Sequence, residues 1–392
     1  MAFLIMPVGL KTNETISKNN TAQLADIVYT DSGPITIGAF TPYELWTDEG
    51  NGTAAFPFVF EYLSIDLNID EAPACIEIRG NSSYVTIKNC LFNSKIVGYL
   101  GVYLEDASNI VIENCIFNNS FQAIGLLNSD SITIRGNTML GDTVREGNFR
   151  GEGVHIDDCS NIVMEKNTIV KKAKAIVTRN FMTGIVDGNN VTNNYFGICI
   201  YTNTSYVNVT TNTCKLNYRG IGLATADHIR AEKNILEKNT LAGIVLATDA
   251  TNVTLSSNTF ISNGVIGAPL AEESSGYGLL IQSGSTSNSV TDNDFFDNVC
   301  NGFDDMIGNF YNNNYWSDYL GYGDTPYTVA GDAGNIDYNP RGPNTGITTT
   351  STTTTTTNPT TTIQAADYTV AIVVGVSVLA GIIFSAFVIK RR

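Results

Sequence analysis

Apolar and polar residues alternate along short stretches of this chain, and the stretches recur at a nearly constant spacing. Each repeat opens with Gly or Ala, runs through one alternation, passes a polar turn and ends a second alternation at Asn or Cys. Alternation with a period of two residues predicts β-strands, because successive side chains of a strand point to opposite faces. No helical stripe of comparable length precedes residue 367, so the repeats predict an all-β domain.

The closing Asn or Cys of each repeat sets the period. These anchors are Cys90, Cys115, Asn137, Asn167, Asn189, Asn212, Asn234, Asn258 and Asn293. The gaps between them are 25, 22, 30, 22, 23, 22, 24 and 35 residues. We predict a parallel β-helix of about nine or more coils, in which equivalent residues stack about 4.8 Å apart. Asn suits the bends, because it tolerates left-handed backbone and its amide can bond to neighbouring coils.

The end of the chain predicts a membrane anchor. Residues 370–389 carry no charge, and twenty residues of helix span about 30 Å, the thickness of a hydrocarbon core. The basic residues Lys390 to Arg392 follow, which predicts a cytoplasmic C-terminus. The preceding Thr-rich run cannot form a packed core and predicts an extended stalk. We therefore expect a single-pass protein of the cell membrane whose N-terminal domain lies outside the cell.

These patterns divide the chain into five predicted segments. They are an N-terminal segment (1–33), the β-helix (34–308), its C-terminal cap (309–343), the Thr-rich stalk (344–366) and the transmembrane helix with its basic end (367–392). Segment 1–33 is predicted to be either the remainder of a signal peptide or a buried N-terminus. Asn-X-Ser/Thr sequons predict glycosylation at Asn51, Asn81, Asn118, Asn190, Asn203, Asn208 and Asn252, with two more at Asn13 and Asn19.

The composition limits the partners, metals and cofactors that the protein can be expected to bind. The net charge is −16, with 22 basic and 38 acidic residues, which excludes a nucleic-acid partner because phosphate contacts need clustered Lys and Arg. Two His and no Cys-X-X-Cys pair argue against zinc sites, and we predict neither a metal nor a cofactor. Cys90 and Cys115 share one repeat position, so they are either a disulfide or two buried thiols. The pair Asp304-Asp305 is predicted to be a solvated turn.

The motifs that flank the repeats resemble those of a known family. They are Gly50-Asn51-Gly52-Thr53, Pro57-Phe58-Val59-Phe60-Glu61 and Ile65-Asp66 at the start, and Asn314-Tyr315-Trp316-Ser317-Asp318-Tyr319, Gly323-Asp324-Thr325-Pro326-Tyr327 and Asp337-Tyr338-Asn339-Pro340 at the end. Over about 34–340 the chain resembles the NosD branch of the pectin-lyase-like proteins. The resemblance implies a right-handed parallel β-helix, and the stalk and anchor are similar to those of archaeal cell-surface members.

Within each repeat, one strip of side chains is predicted to face outward. Residues such as Val154 and Ile156 should point inward, so their neighbours must point to solvent. Aromatic rings in such a strip can stack on sugars, while carboxylates and Arg bond to hydroxyls. The predicted ligand-binding residues are Tyr103, Glu105, His155, Asp157, Arg179 and Tyr201. The alternative is that Asp157 and Arg179 merely form a surface ion pair.

The sequence therefore predicts a membrane-anchored extracellular protein that binds glycans or surface glycoproteins without catalysis. Three alternatives stay open. The first is a polysaccharide lyase, hydrolase or epimerase that uses His155, Asp157 and Arg179. A glycosidase needs two carboxyls about 5–9.5 Å apart, which Asp157 could form with Glu105, Glu152 or Asp158. The second, implied by the resemblance, is a NosD-like copper-maturation factor. The third is a structural element of a surface coat.

Overall fold

The computed structural model describes residues 29–39, 42–43, 47–67, 72–94, 99–141, 151–264, 276–321 and 325–342. All of them lie in the first of two compact units, residues 1–344. Residues 1–28, most of the predicted N-terminal segment, lie outside the described residues, as do the stalk and the segment 370–389. Within the described ranges, no helix is long and apolar enough to span a bilayer.

The described chain winds through three rows of strands, here called sheets I, II and III. Sheet I contains twelve strands, namely β1 (Thr30–Ser32), β4 (Leu63–Leu67), β7 (Leu91–Ser94), β10 (Ile116–Asn118), β13 (Thr138–Leu140), β16 (Thr168–Val170), β19 (Asn190–Thr192), β21 (Thr213–Lys215), β24 (Ile235–Glu237), β27 (Thr259–Ile261), β30 (Asp294–Phe296) and β33 (Tyr315–Trp316). Sheet II contains β2 (Ile35–Ile37), β5 (Ala74–Arg79), β8 (Leu100–Glu105), β11 (Gln122–Leu127), β14 (Glu152–Asp157), β17 (Lys174–Arg179), the first half of β20 (Phe196–Thr210), β22 (Arg219–Asp227), β25 (Ala242–Ala247), β28 (Tyr277–Ile281) and β31 (Cys300–Asp304). Sheet III contains β3 (Phe58–Glu61), β6 (Val85–Lys88), β9 (Ser108–Glu113), β12 (Asp130–Arg135), β15 (Ser160–Glu165), β18 (Met182–Asp187), the second half of β20, β23 (Arg230–Glu232), β26 (Thr254–Ser256), β29 (Ser289–Thr291), β32 (Phe310–Asn312), β34 (Tyr327–Thr328) and β35 (Ile336–Asp337).

Each strand pairs with the equivalent strand of the next coil. In sheet II, for example, Val154 is in register with Ile124 on one side and Ile176 on the other. The pairings are parallel throughout, except for β34 with β35 at the C-terminal end. This confirms the predicted all-β parallel β-helix, and about eleven turns agree with the expectation of nine or more.

The interior contains columns of apolar side chains that touch from coil to coil. The column two residues after each anchor is fully buried, and near the C-terminus it becomes aromatic. Phe260 stacks on Phe295 with 4.4 Å between ring centroids, and Phe295 stacks on Trp316 at 4.3 Å. Stacking like on like buries a continuous core that no single coil could form alone.

The anchor asparagines form one buried hydrogen-bonded ladder. Asn212 shows the pattern: its backbone N and its Nδ2 both donate to Asn234 Oδ1, at 2.9 and 3.0 Å, and Nδ2 also donates to the Val186 carbonyl at 2.8 Å. Each rung repeats these bonds, from Asn137 to the final acceptor, the carboxylate of Asp337. The ladder satisfies backbone groups that would otherwise be buried unpaired.

Left-handed backbone occurs one residue before each anchor, which corrects part of the prediction. Lys166, Thr211, Lys233 and Ser257 have φ near +50°, and glycine stands at two of the equivalent positions. The ladder asparagines themselves do not have positive φ. Asn is therefore required for its amide, whereas the sharp bend falls on a residue whose side chain points to solvent.

A second Asn ladder lies on the neighbouring corner and ends at a lysine. It runs through Asn263, Asn239, Asn217 and Asn194, and Asn194 Oδ1 accepts from the backbone N of Lys172 at 2.9 Å. Lys172 occupies the next rung, is 1% exposed and donates from Nζ to the Ser120 carbonyl at 2.5 Å. Ser120 lies two coils before Lys172, so the long lysine side chain reaches across the intervening coil.

The burial of Lys172 predicts that the free energy of unfolding rises with pH between about 8 and 10.5. Burial lowers the pKa of Lys172 from 10.5 to about 8. Between pH 8 and 10.5 the unfolded chain therefore holds a proton that the folded protein lacks, so this group makes folding more favourable as pH rises. We expect Lys172→Met to be more stable than the parent at pH 7, with the difference shrinking toward pH 10.5. Urea unfolding of both proteins at a series of pH values measures the difference, and a constant difference would contradict the assignment.

Two buried carboxylates lie at the C-terminal end of the β-helix, Asp304 in its last sheet II strand and Asp337 in the cap. Asp337 ends the first ladder and also accepts from Trp316 Nε1 at 3.1 Å. Asp304, predicted to lie in a solvated turn, is instead 1% exposed and accepts from Tyr311 Oη at 2.9 Å and from Asn335 Nδ2 at 2.8 Å. The prediction was wrong because Asp304 occupies an inward position of β31, in register with Ile281, where the interior ends.

The cysteines are all free thiols. Cys90 and Cys115 are buried at equivalent rungs, and their Sγ atoms donate to the carbonyls of Lys88 and Glu113 at 3.2 and 3.3 Å. Cys115 also donates its backbone N to Asn137 Oδ1 at 2.9 Å. Of the two alternatives for this pair, the structure therefore has the buried thiols, which stand before the first Asn of the ladder.

Candidate ligand-binding face

The outward side chains of sheet II form three columns along the axis. The middle column contains Glu77, Tyr103, Gly125, His155, Val177, Cys199, Gly222, Val245 and Leu280. The second lies two residues later and contains Arg79, Glu105, Leu127, Asp157, Arg179, Tyr201 and Ala224. The third lies three residues before the middle column and contains Gln122, Glu152, Lys174, Phe196 and Arg219. All six predicted ligand-binding residues lie on this face, here called the sheet II face.

A first cluster on this face joins two coils. Arg79 pairs with Glu77 at 2.7 Å and also with Glu105. Its guanidinium lies 5.2 Å from the ring centroid of Tyr103. Tyr103 in turn lies over Gly125 of the next coil, where an added Cβ would stand 3.2 Å from the ring. Two carboxylates against one guanidinium leave this end of the face acidic.

A second cluster centres on Glu152. Its carboxylate accepts from Gln122 Nε2 at 2.9 Å, contacts His155 Nδ1 at 2.6 Å and pairs with Lys174 Nζ at 3.1 Å. Burial alone would raise the pKa of Glu152, but His155 and Lys174 outweigh it and lower that pKa to about 2. Glu152 is therefore ionised near neutral pH and cannot serve there as a proton donor. Its contacts with Gln122 and Lys174 connect three successive coils.

The three candidates for catalysis are close together but do not form one network. Asp157 and Arg179 are in register in adjacent strands, yet no ion pair joins them. Asp157 accepts a long bond of 3.4 Å from Asn180, and His155 is engaged with Glu152. The alternative of a surface ion pair between Asp157 and Arg179 is thus not realised, and the roles of these three residues stay predictions.

Beyond Arg179 the face opens into a cavity of about 320 Å³. Its lining consists of Arg179, Tyr201, Thr202, Arg219, Gly222, Leu223, Ala224, Thr225, Val245, Ala247 and Thr248. Tyr201 lies over Gly222, since an added Cβ there would stand 3.2 Å from the tyrosine Oη. Burial raises the pKa of Tyr201, as does the neighbouring Cys199 thiol, so its hydroxyl stays protonated. Cavities of this volume are at the lower end for small-ligand sites.

Arg219 is held in place by aromatic rings. Its guanidinium carbon lies 5.2 Å from the ring centroid of Phe196 and 5.9 Å from that of Tyr218. Tyr218 stacks on Tyr195 with 4.8 Å between centroids and 5° between planes. The Nε of Arg219 is buried and has no hydrogen-bond partner. In the described part of the chain, no carboxylate lies within 4.0 Å of either Arg219 or Arg179.

The sequence analysis did not identify the third outward column as such, and it missed Arg219. Its signal was present: each member stands two residues before the first inward residue of its strand, as Arg219 precedes Ile221 and Lys174 precedes Ile176. The alternation there is interrupted by a small buried residue, Gly220 or Ala175, which hid the outward position.

The predicted glycosylation sites lie within reach of solvent. Asn51, Asn190, Asn203, Asn208 and Asn252 are exposed, while Asn81 and Asn118 are half-buried. Some of the amide nitrogens that a glycan would occupy are already engaged: Asn252 Nδ2 donates to Asp227 at 2.8 Å and Asn118 Nδ2 donates to Asn93 at 2.9 Å. Their modification stays a prediction.

Among the residues that the structure describes, no group of three or more His, Cys, Asp or Glu side chains is placed to hold a metal ion. His155 and His228 each contact a single carboxylate, Glu152 and Asp227 respectively.

Two family descriptions match parts of the chain. One is the right handed beta helix region, which matches residues 152–315. The other is the periplasmic copper-binding protein (NosD), which matches residues 59–214. Together they agree with the handedness and the family resemblance inferred from the sequence motifs. No curated protein matches the full sequence significantly.

Several solved structures are similar to this chain at low identity and low TM-score. The periplasmic alginate epimerase AlgG is 12% identical with a TM-score of 0.39, over 75% of this chain and 83% of that one. The A-module of the mannuronan C-5 epimerase AlgE4 of Azotobacter vinelandii is 14% identical with a TM-score of 0.42, over 68% and 86%. The DFA-IIIase of Arthrobacter chlorophenolicus A6 is 13% identical with a TM-score of 0.38, over 60% and 81%.

Proposed function

We propose that this right-handed parallel β-helix protein binds a polysaccharide along the sheet II face without cleaving it. The observation that carries this proposal is the cavity of about 320 Å³ between Arg179, Tyr201 and Arg219, in line with the ordered polar clusters around Arg79 and Glu152. A sugar chain laid along the axis would meet an aromatic ring or a fixed polar group at each of these coils.

The chemistry of the face suits sugars. Tyr103 packs between Arg79 and Gly125, while Tyr201 lies over Gly222 and borders the cavity, so both coils place an aromatic ring beside charged groups. Thr202, Thr225 and Thr248 lie on successive coils at the edge of the cavity and can exchange hydrogen bonds with hydroxyls. Sites of this kind use apolar surface for contact and a few placed polar groups for orientation.

Binding without cleavage fits the state of Glu152. A glycosidase needs one carboxyl that can donate a proton, usually by a raised pKa. The pKa of Glu152 is instead lowered to about 2. The proposal also retains the location expected from the sequence: outside the cell, with the β-helix held by the Thr-rich stalk and the segment 370–389.

We expect Tyr201→Ala to weaken polysaccharide binding roughly tenfold, because the variant loses the ring that borders the cavity. The matched control is Tyr206→Ala in the same strand β20, whose exposed ring stacks on His228 at 5.0 Å and belongs to sheet III. Affinity electrophoresis of the purified full-length protein through gels containing single polysaccharides measures the effect. Unchanged mobility of the unsubstituted protein in every polysaccharide gel would overturn the proposal, as would equal losses in the two variants.

A further inference from the structure

We infer that the cavity between Arg179 and Arg219 takes one carboxylate or sulfate group of a sparsely charged glycan, in which neutral sugars flank each anionic one. The inference rests on the proposed function and names the chemical class of its ligand. Three observations carry it: the free edge of Arg219, the absence of acidic partners among the described residues at the cavity, and the distribution of charge along the rest of the face.

The first observation is the orientation of Arg219. Its guanidinium face is occupied by Phe196 and Tyr218, at 5.2 and 5.9 Å, so its in-plane N–H groups are the part left for a ligand. The buried Nε has no hydrogen-bond partner, and an unpaired buried donor is unfavourable until something accepts from it. A planar guanidinium held by aromatic rings is suited to donating two parallel hydrogen bonds to one oxyanion.

The second observation is local charge. Elsewhere on this face Arg79 and Lys174 are paired with carboxylates. Arg179 and Arg219 have no carboxylate within ion-pair distance in the described ranges, although the whole chain carries a charge of −16. Two cations that stay uncompensated in so acidic a protein mark a place where an external anion is favoured.

The third observation limits the charge density of the ligand. One coil before the cavity stands Asp157, which has no cationic partner within 4.0 Å among the described residues. Glu152 stands on the same strand as Asp157, and the carboxylates of Glu105 and Glu77 stand farther along the axis. Coils are about 4.8 Å apart, so a polymer with an anion on every sugar would place several anions against this acidic stretch. A glycan with widely spaced anions avoids that repulsion while still filling the cavity.

The test compares four polymers on the full-length protein. Hyaluronan alternates a carboxylate sugar with a neutral one, κ-carrageenan alternates a sulfated sugar with a neutral one, polygalacturonate carries a carboxylate on every sugar, and dextran is neutral. We expect hyaluronan or κ-carrageenan to bind best, and the stronger of the two identifies the anion. Arg219→Gln should weaken that binding roughly 10- to 100-fold, the loss expected for hydrogen bonds to a charged group.

A matched variant controls for the lost charge. Arg230→Gln removes an exposed arginine of the same coil from sheet III, where Arg230 pairs with Glu232 at 2.5 Å, and it should leave binding unchanged. The strongest binding to dextran or to polygalacturonate, or equal effects of the two variants, would overturn the inference while the proposed function stands. If the protein bound none of the four polymers and none of the polysaccharides in the wider gel series, both the proposed function and the inference would be overturned.

Discussion

Replacing Asn234 with alanine is expected to lower the free energy of unfolding by about 4 kcal/mol. The side chain of Asn234 makes four buried hydrogen bonds: its Oδ1 accepts twice from Asn212, and its Nδ2 donates to the Val209 carbonyl and to Asn258 Oδ1. Its loss leaves the backbone N–H of Asn212, one of the two N–H groups of the Asn212 amide and the Val209 carbonyl without these partners in the interior, where water does not reach them. Urea unfolding followed by tryptophan fluorescence measures the change.

The control for this experiment is Asn208→Ala, which removes the same groups from an exposed position of β20. Surface substitutions of this kind stay within about 0.5 kcal/mol. If Asn234→Ala lowered the free energy of unfolding no more than Asn208→Ala, the hydrogen bonds of the ladder would not be among the interactions that stabilise the stacked coils.

Replacing Gly220 with alanine should lower the free energy of unfolding by about 3 kcal/mol. A Cβ at this position would stand 2.4 Å from the carbonyl oxygen of Gly243 in the next coil, and 3.1 Å from the side chains of Asn239 and Leu236. The oxygen belongs to backbone that pairs from coil to coil, so it cannot move aside without disturbing sheet II. Thermal and urea unfolding of the variant report the loss.

Gly222→Ala is the matched control, two residues along the same strand. Its Cβ would point outward and stand 3.2 Å from the Tyr201 hydroxyl, the mobile end of a side chain. The free energy of unfolding should therefore change by less than about 1 kcal/mol. Equal destabilisation by the two substitutions would show that the close approach of coils at Gly220 is not what limits the size of the residue there.

The sequence was sufficient for the architecture because the fold repeats. A single coil carries a weak signal, but nine anchors at a period near 22 residues indicate stacking with little ambiguity. The inward and outward assignment of His155 and Asp157 followed from alternation alone and agrees with the observed register. The C-terminal anchor and the stalk were also predicted, but they lie outside the described residues.

The sequence was less informative where a residue departs from its column. Lys172 occupies an asparagine rung, and Asp304 occupies an apolar inward position; both are buried by contacts from other coils that the local pattern does not contain. Arg219 was missed for a related reason, since its role depends on Phe196 one coil away and on a gap in the alternation. The repeat pattern therefore predicts the β-helix, but not the residues that differ from the rest of their column.

The stacking of successive coils can be measured directly with pairs of spin labels. Asn114, Lys166 and Ser257 are exposed and occupy equivalent bends, with four coil steps between Lys166 and Ser257 and six between Asn114 and Ser257. Labels attached through a non-natural amino acid leave the seven cysteines in place. At about 4.8 Å per coil, pulsed electron paramagnetic resonance should give mean separations of about 19 and 29 Å. Separations that do not increase with the number of coils would contradict the β-helix and, with it, the binding face proposed on its surface.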